Sequence, residues 1–415
     1  MVEFITIGDQ HSEALKKNHK TDKQKEFQYL ASFPPSLPAT FINMFTDEGD
    51  TVLDPFCGKG TTPLQALVMN RNAIANDMSM VAFTYSHSRI KHVKEDVAMR
   101  GIDNMREECK DIDVNPHEFE PLLYMYHFDT LMDILRTRIY LMEKFDDVSM
   151  FIKAHICGIL YGAGPNDLTM DLPGTFPINL ANIKKYTKEH GMPEYKDFYS
   201  SLKNKIKIAN RTGVPKLRGS IFSGDASILD TKIEHGTVDF IVTSPPYINL
   251  IAYGEKTWIM QWFTGQDYKA YDKKTKAVGS CSGNEDEYFD LMKRVLQAMY
   301  NVLKDNSACV FVVGGSKRDA KDKGMMHIPM KFVKVGREVG FEVQALYSRG
   351  FQSSIRTMFD KDTREATGIG YQDASIVFVK GEVNQRMTFE EGISYGTMKI
   401  EDIDELSDID VSEFD

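Results

Sequence analysis

The chain has 415 residues, of which 42% are hydrophobic, so it is long enough to bury a sizeable core in about two or three lobes. The formal net charge of −10 argues against a uniformly basic surface for phosphates. We expect a soluble, cytoplasmic protein, because no apolar run is long enough to cross a bilayer and the first residues lack the apolar core of a signal peptide. The five cysteines are scattered without a C-x-x-C pair, so we expect free thiols and no bound metal.

Charge is unevenly distributed along the chain. Residues 401–415 contain acidic side chains and no lysine or arginine, which is typical of a solvated, disordered tail. Residues 184–218 are instead rich in lysine and arginine. This basic stretch is a candidate for contacts with phosphates, and a solvated helical face is the alternative.

The predicted elements of the first part alternate between strand and helix. They are a strand at 51–56, a helix at 61–69, a strand at 72–77 and a helix at 80–99. Residues 100–218 break this rhythm: apolar spacing predicts helices over 119–163, and glycine and proline breakers predict a loop over 164–182. We therefore predict a mainly helical insertion at 100–218.

Alternation resumes after residue 218. The pattern predicts strands at 220–225, 238–244, 308–313, 341–347 and 374–380, with helices at 285–303 and 327–339. Strands that alternate with helices imply an α/β fold with a mostly parallel sheet covered on both faces. The last two strands have no clear helix between them, which predicts an antiparallel edge hairpin.

Glycines follow the first predicted strand at the place where α/β sheets bind ligands. Residues Asp54–Thr61 read DPFCGKGT. Ligands bind at the carboxyl ends of strands in open α/β sheets, and glycines let the backbone approach them closely. The spacing is not that of a P-loop, and such a turn also occurs without any ligand.

Two further acids end predicted strands. Asp77 lies about twenty residues after the glycines, from where a carboxylate can hydrogen-bond ribose hydroxyls. Asp225 ends the next strand, where a carboxylate can accept a hydrogen bond from an adenine amino group. Capping of the following helix is the alternative for each acid. Their occurrence on successive strand ends favours one nucleoside-binding site.

The most specific motif is TSPPY, residues Thr243–Tyr247, at the end of the fourth of these strands. Two consecutive prolines restrict the backbone, so main-chain carbonyls and the Ser244 hydroxyl can converge on one point. An exocyclic amine needs acceptors in this arrangement. Tyr247 is placed to stack on an extruded base, and a rigid turn with a packed tyrosine is the alternative.

DPFCGKGT and TSPPY resemble the cofactor and catalytic loops of the DNA amino-methyltransferases, which transfer a methyl group from S-adenosylmethionine to cytosine N4 or adenine N6. The resemblance implies a Rossmann-like methyltransferase fold with a seven-stranded sheet, S-adenosylmethionine as cofactor and double-stranded DNA as partner. The implied cofactor-binding residues are Asp54, Pro55, Phe56, Gly58, Gly60, Thr61, Asp77 and Asp225. The implied catalytic residues are Ser244, Pro245, Pro246 and Tyr247.

The order of the motifs also resembles one branch of that family, in which the target-recognition region lies between the two loops. The resemblance covers about 27–95, including the proline-rich segment Ala31–Pro38, and about 218–381. Lys59 departs from it, because a small residue is expected between the two glycines. The predicted regions are 1–99 (cofactor loop), 100–218 (target recognition), 219–385 (catalytic loop) and 386–415 (acidic tail).

The segment 254–283 follows the catalytic loop and contains both tryptophans. It is a candidate to close over a flipped base, with Lys269, Lys273, Lys274 and Lys276 meeting phosphate. A core helix followed by a surface loop is the alternative.

Several functions compete with cytosine-N4 methylation. Cytosine carbon-5 methylation is set aside, because its nucleophile is usually a Pro-Cys cysteine and no cysteine here follows a proline. Serine before the Pro-Pro pair is more typical of cytosine-N4 enzymes than of adenine-N6 enzymes, and adenine N6 stays open as the target. An RNA guanine-N2 methyltransferase and a non-enzymatic Rossmann-like module also compete. A cognate restriction endonuclease stays open as a partner, and no membrane partner is expected.

Overall fold

The computed structural model describes residues 3–6, 27, 29, 32, 34–172, 177–209, 215–248, 253–277, 284–314, 327–350, 372–382 and 396–397. The acidic stretch 401–415 and Cys281 lie outside these ranges. The four cysteines within them are unpaired and buried. No helix in the described ranges is long and apolar enough to span a membrane.

The strands of the described chain form one nine-stranded sheet. They are β1 (Glu3–Thr6), β2 (Thr51–Asp54), β3 (Asn72–Asp77), β4 (Ser220–Ser223), β5 (Val238–Thr243), β6 (Leu303–Gly314), β7 (Glu342–Gly350), β8 (Gln372–Lys380) and β9 (Gly396–Thr397). Their order is β4-β3-β2-β5-β6-β8-β7-β1-β9. Strands β4, β3, β2, β5 and β6 pair in parallel, whereas β8 is antiparallel to both β6 and β7.

The prediction of a mostly parallel, Rossmann-like sheet is confirmed. Strands β2 to β8 are the predicted seven, and β7 and β8 form the predicted antiparallel hairpin. The short strands β1 and β9 extend the sheet beyond β7. The strand order reverses between β2 and β5, and a reversal of this kind opens a crevice at the carboxyl ends of the strands.

Helices flank the strands and fill the region between β3 and β4. They are α1 (Ser36–Phe45), α2 (Thr61–Val68), α3 (Met80–Lys91), α4 (Glu95–Cys109), α5 (Phe128–Leu141), α6 (Asp147–Cys157), α7 (Leu180–His190), α8 (Phe198–Ala209), α9 (Tyr253–Lys256), α10 (Trp258–Phe263), α11 (Tyr268–Ala277), α12 (Glu285–Val302) and α13 (His327–Val339). Short 3₁₀ helices lie at Pro116–Tyr124 and Ala226–Thr231.

Apolar layers cover both faces of the sheet. Successive strand residues point to opposite faces, so Val52 packs in one layer and Leu53 in the other. The layer with Val52 is completed by α1 and α2, and the layer with Leu53 by α12 and α13. Both layers exclude water from the strands and fix the positions of the loops that follow them.

A third apolar cluster lies in the helices between β3 and β4. Ile134 of α5 and Phe151 of α6 are both almost fully buried in it. Trp258 and Phe263 of α10 belong to the same cluster, so the segment after the catalytic loop packs on these helices. The predicted domain boundaries stay a prediction, and α4 runs across residues 99 and 100.

The helix predicted over 80–99 is interrupted, which corrects that prediction. Helix α3 ends at Lys91, and His92 has a positive φ of 27°. Arg218 donates a hydrogen bond from Nη2 to the His92 carbonyl at 3.0 Å, and the Gly219 amide donates to the Ile90 carbonyl at 3.2 Å. The chain entering β4 therefore occupies the carbonyls that a continuous helix would need.

Several side chains of the basic stretch are already paired within the chain. Lys184 binds Glu120 at 2.7 Å, and Arg218 binds Asp147 at 2.9 Å. Lys196 donates to the carbonyls of Asp167 and Thr169 at 2.8 and 2.7 Å. The stretch therefore presents less free positive charge than its sequence suggests.

Candidate active site

One pocket lies at the carboxyl ends of β2, β3, β4 and β5. Eight of the twelve residues predicted for the site line it: Asp54, Phe56, Gly58, Thr61, Asp77, Asp225, Ser244 and Pro246. The other four, Pro55, Gly60, Pro245 and Tyr247, lie in the same two loops but do not line the pocket. Loops that are distant in sequence are thus brought together by the strand order.

The glycine loop needs both of its glycines. Gly58 and Gly60 have φ values of +51° and +82°, which side-chain-bearing residues rarely adopt. A Cβ on Gly60 would lie 2.8 Å from Ser86 Oγ of α3. Ser86 in turn donates a hydrogen bond to the Gly58 carbonyl at 2.9 Å, so the loop is held against α3.

We expect Gly60→Ala to lower the free energy of unfolding by about 3 kcal/mol, because the left-handed backbone and the Ser86 contact both cost energy. Gly49→Ala is the matched control, since Gly49 also has a positive φ of 91° but a Cβ there would meet no atom within 4 Å. Its expected cost is about 1 kcal/mol. Denaturant unfolding compares the two variants, and equal losses would contradict the role given to Ser86.

Asp77 anchors the glycine loop to the end of β3. Its Oδ2 accepts a hydrogen bond from the Gly58 amide, and its Oδ1 accepts one from the Ser79 amide, each at 2.9 Å. Each carboxylate oxygen keeps a second lone pair for a further donor. The Asp77 carboxylate is therefore able to hold the glycine loop and, at the same time, to accept a hydrogen bond from a ligand hydroxyl.

Asn76 joins two of the strand ends, and sequence reasoning missed it. Its Nδ2 donates to the Pro55 carbonyl at 3.1 Å and to the Gly224 carbonyl at 3.0 Å. The Asn76 side chain is fully buried. Its position next to Asp77 at a strand end is the signal that could have pointed to it.

Asp54 links the cofactor loop to the catalytic loop. Its Oδ1 accepts hydrogen bonds from Thr243 Oγ1 at 2.6 Å and from the Phe56 amide at 3.1 Å. Thr243 immediately precedes Ser244, so a shift of one loop must move the other. Asp54 is 2% exposed, which makes it a buried strut as well as a lining residue.

Burial raises the pKa of both carboxyl groups to about 6. Hydrogen bonds from Thr243 and the Phe56 amide oppose the rise for Asp54, and those from the Ser79 and Gly58 amides oppose it for Asp77. Both groups are therefore ionised at neutral pH and become protonated in mildly acidic solution.

We expect affinity for an adenosine-containing ligand to fall as the pH drops from 7 to 5. Above a pH of about 6 the Asp77 carboxylate is an acceptor at both oxygens, whereas below it one oxygen carries a proton and competes with its amide donors. Titration of S-adenosylhomocysteine across this range measures the effect. An affinity that stays constant from pH 7 to 5 would contradict the roles given to Asp54 and Asp77.

The catalytic loop presents Ser244 and Pro246 to the pocket. Ser244 Oγ lies 3.5 Å from the Tyr247 hydroxyl. Tyr288 of α12 donates a hydrogen bond to the Pro246 carbonyl at 2.9 Å, so this carbonyl is already engaged. The loop offers an incoming amine the Ser244 hydroxyl, the carbonyls of Ser244 and Pro245, and the second lone pair of the Pro246 carbonyl.

Aromatic residues that sequence reasoning did not assign complete the pocket wall. Tyr29, Tyr253 and Tyr271 all line it. Burial, and secondarily the Asp77 charge, raise the pKa of Tyr29, so its hydroxyl stays protonated. Tyr253 lies in α9 and Tyr271 in α11, on either side of the helix that contains both tryptophans.

Helix α10 and the turn after it hold the end of β3. Gln266 accepts a hydrogen bond from the Met80 amide at 3.0 Å, and Gln261 Nε2 donates to Ser79 Oγ at 3.2 Å. Met78, between Asp77 and these contacts, lines the pocket. The segment after the catalytic loop is thus part of the frame that holds Asp77.

Lys59, the residue that departs from the family pattern, lines the same pocket and is half-buried. Burial, with a smaller contribution from the nearby Arg89 guanidinium, lowers its pKa to about 8. It places a cation on the glycine-loop side of the pocket.

Residues 7–88 match the family model of N6 and N4 methyltransferases, described as DNA methylase. In this segment the chain is similar to the DNA amino-methyltransferases. It is 50% identical over 48 residues to the type II methyltransferase M.MjaI of Methanocaldococcus jannaschii, which is 12% of this chain and 16% of the relative. It is 38% identical over 66 residues to the orphan methyltransferase M.BamHII of Bacillus amyloliquefaciens, which is 16% of this chain and 25% of the relative.

The matched segments of the chain span a quarter or less of the length of these two relatives.

Solved structures of methyltransferases align weakly. An S-adenosylmethionine-dependent methyltransferase from Methanosarcina mazei aligns with a TM-score of 0.35 and 10% identity, over 85% of this chain and 100% of that one.

S-adenosylmethionine is the cofactor of the methyltransferases that this chain resembles, and the pocket fits such a ligand. Carboxylates on β3 and after β4 offer acceptors for ribose hydroxyls and an adenine amine. Met78, Ala226 and Pro246 offer apolar lining for a purine. The cofactor supplies an electrophilic methyl group, and these residues would hold it beside Ser244. No group of three or more potential metal ligands occurs among the described residues.

Proposed function

We propose that the chain transfers a methyl group from S-adenosylmethionine to an exocyclic amine of double-stranded DNA, with cytosine N4 as the target. One observation carries the proposal: Gly58, Asp77, Asp225 and Ser244, from four separate loops, line a single pocket. A nucleoside-binding pocket that also contains the TSPPY loop is suited to bring an amine and a methyl donor together.

The proposed roles follow from the contacts. Asp77 holds the ribose and Asp225 the adenine amine of the cofactor, with the glycine loop against its methionine part. Ser244 and the Pro245 carbonyl accept hydrogen bonds from the target amine, so that its lone pair faces the methyl group. Tyr247, half-buried in the same loop, stacks on the flipped base.

The serine in TSPPY supports cytosine N4 over adenine N6, because it resembles the cytosine enzymes at this position. The family match to DNA methylases supports DNA as the substrate and lends nothing to RNA guanine N2. A cognate restriction endonuclease stays a prediction.

Purified protein incubated with labelled S-adenosylmethionine and either duplex DNA, single-stranded DNA or transfer RNA tests the proposal. Digestion to nucleosides and mass analysis are expected to reveal N4-methylcytosine from duplex DNA. N6-methyladenine would show that the target is adenine instead of cytosine, and the enzyme would still be a DNA amino-methyltransferase. Label found in RNA guanine alone would refute DNA as the substrate.

A further inference from the structure

Helix α11 separates two different surfaces. Tyr271 and Thr275 on one side are buried and line the cofactor pocket. Lys269, Lys273 and Lys276 on another side line a groove outside it. These lysines are spaced i, i+4 and i+7, which places them in one row along a helix.

We propose that this groove binds the phosphate backbone of the DNA strand from which the target base is extruded. This inference rests on the proposed function and adds to it the place on the protein where the DNA strand that carries the target base is bound. When a base enters the cofactor pocket, the phosphates of its nucleotide stay outside. The row of lysines lies on the other side of α11 from this pocket. The row is about 10 Å long, which is the axial length of roughly three phosphates of one strand.

The lysines are available for such contacts. All three are exposed, and within the described parts of the chain none of them forms an ion pair. Lys269 lies over the ring of Tyr268, with Nζ 5.8 Å from the ring centre. Unpaired lysines in one row give a local positive surface on a chain that is acidic as a whole.

The opposite wall of the groove adds to this positive character. Asn179 and Leu180 line it, and Asn179 caps the N-terminus of α7 by accepting a hydrogen bond from the Ala181 amide at 2.8 Å. The first turn of α7 contains no acid of its own, so the positive end of its dipole faces the groove with only the Glu255 carboxylate against its N-cap.

Two acids also line the groove. Asp272 accepts hydrogen bonds from the Gly254 and Glu255 amides at 2.8 and 3.0 Å, so its carboxylate joins α9 to α11. Glu255 is exposed and accepts a long hydrogen bond of 3.5 Å from Asn179. The lining therefore contains three lysines and two acids, and its net charge is positive.

The groove also has a fixed floor. The Trp258 indole is 6% exposed and donates a hydrogen bond from Nε1 to the Ile178 carbonyl at 3.1 Å. This contact ties α10 to the residues that precede α7. A strand lying here would touch both the inserted helices and the segment after the catalytic loop.

The adjacent lysines Lys273 and Lys274 provide a matched test. Both are exposed on α11, but only Lys273 lines the groove. A mixed-sequence duplex of about thirty base pairs is an adequate probe, because phosphate contacts are independent of sequence. Binding is measured by fluorescence anisotropy at several salt concentrations, and S-adenosylhomocysteine binding checks that the pocket is intact.

We expect Lys273→Ala to weaken duplex binding by about fivefold and to lower the salt-dependence slope by about 0.9, whereas Lys274→Ala changes affinity less than about twofold. The triple variant of Lys269, Lys273 and Lys276 is expected to lose about a hundredfold. S-adenosylhomocysteine binding is expected to stay within about twofold for all of them.

Equal losses for Lys273→Ala and Lys274→Ala would overturn the groove, as would a triple variant that binds DNA normally. If the triple variant both binds and methylates DNA normally, the proposed function stands and only the groove proposal is refuted. If DNA binding depends on the groove but the protein methylates no nucleic acid, the groove proposal stands and the proposed function is refuted. Failure of the unchanged protein to bind any duplex would refute both.

Discussion

Replacing Asp77 with asparagine is expected to weaken S-adenosylhomocysteine binding by about a hundredfold. Both carboxylate oxygens accept a backbone amide, from Gly58 and from Ser79, each at 2.9 Å. An asparagine amide must turn its NH₂ group toward one of these N–H donors, which loses that bond and the ionic character of the other. The displaced glycine loop and the lost charged acceptor for a ligand hydroxyl together cost about 3 kcal/mol of binding free energy, which corresponds to about a hundredfold change.

Two further substitutions serve as references for this experiment. Asp113→Asn, at an exposed position outside the pocket, is expected to leave binding unchanged. Asp225→Asn is expected to cost about tenfold, because an asparagine amide oxygen can keep the hydrogen bond from the Ser227 amide at 2.9 Å and only the charge of the acceptor for the ligand amine is lost. Calorimetric titration measures all three. An Asp77→Asn protein that folds normally and binds the ligand as tightly as before would show that the ribose is held elsewhere.

Replacing Ser244 with alanine is expected to lower kcat for methyl transfer by about a hundredfold or more. The loss of one fixed hydrogen-bonding group at a reacting centre commonly has this effect. The hydroxyl belongs to the catalytic loop, and Tyr288 holds the Pro246 carbonyl in place at 2.9 Å, so this carbonyl does not move into the position of the lost hydroxyl. Cofactor affinity is expected to change less than about twofold, since the contacts of Asp77 and Gly58 are untouched.

Substitutions at two other positions separate these effects from general damage to the fold. Ser223→Ala, at the exposed end of β4, is the control for the loss of a hydroxyl. Tyr247→Phe keeps the ring and removes the hydroxyl 3.5 Å from Ser244, so it is expected to retain more activity than Tyr247→Ala. Single-turnover rates and S-adenosylhomocysteine titrations measure the two quantities. A Ser244→Ala protein with normal turnover, or with lost cofactor binding, would contradict this division of roles.

The sheet was predictable because most of its strands can be recognised from local sequence. The apolar runs that form β2, β3 and β5 end in turns, and their last residues are Asp54, Asp77 and Thr243. The strand order and the resemblance then predict that these ends meet. The two-residue strand β9 is too short for a period of two to be recognised, and β1, although as long as β2, joins the sheet only by its pairing with β7, far along the chain.

The rest of the pocket depends on contacts that no local pattern contains. Asp54 meets Thr243 across 189 positions, and Met80 meets Gln266 across 186. The break after α3 has the same origin, because Arg218 reaches His92 across 126 positions. Tyr29, Tyr253 and Tyr271 are ordinary aromatic residues in sequence, and only packing brings them to the pocket wall.

The most direct test of one shared pocket is amide hydrogen exchange with and without S-adenosylhomocysteine. We expect slower exchange at the ends of β2, β3, β4 and β5 together, including the Gly58, Ser79 and Ser227 amides, with little change on the outer face of α4. Protection confined to one of these loops, or found only outside them, would contradict the central claim that the four strand ends hold the cofactor beside Ser244.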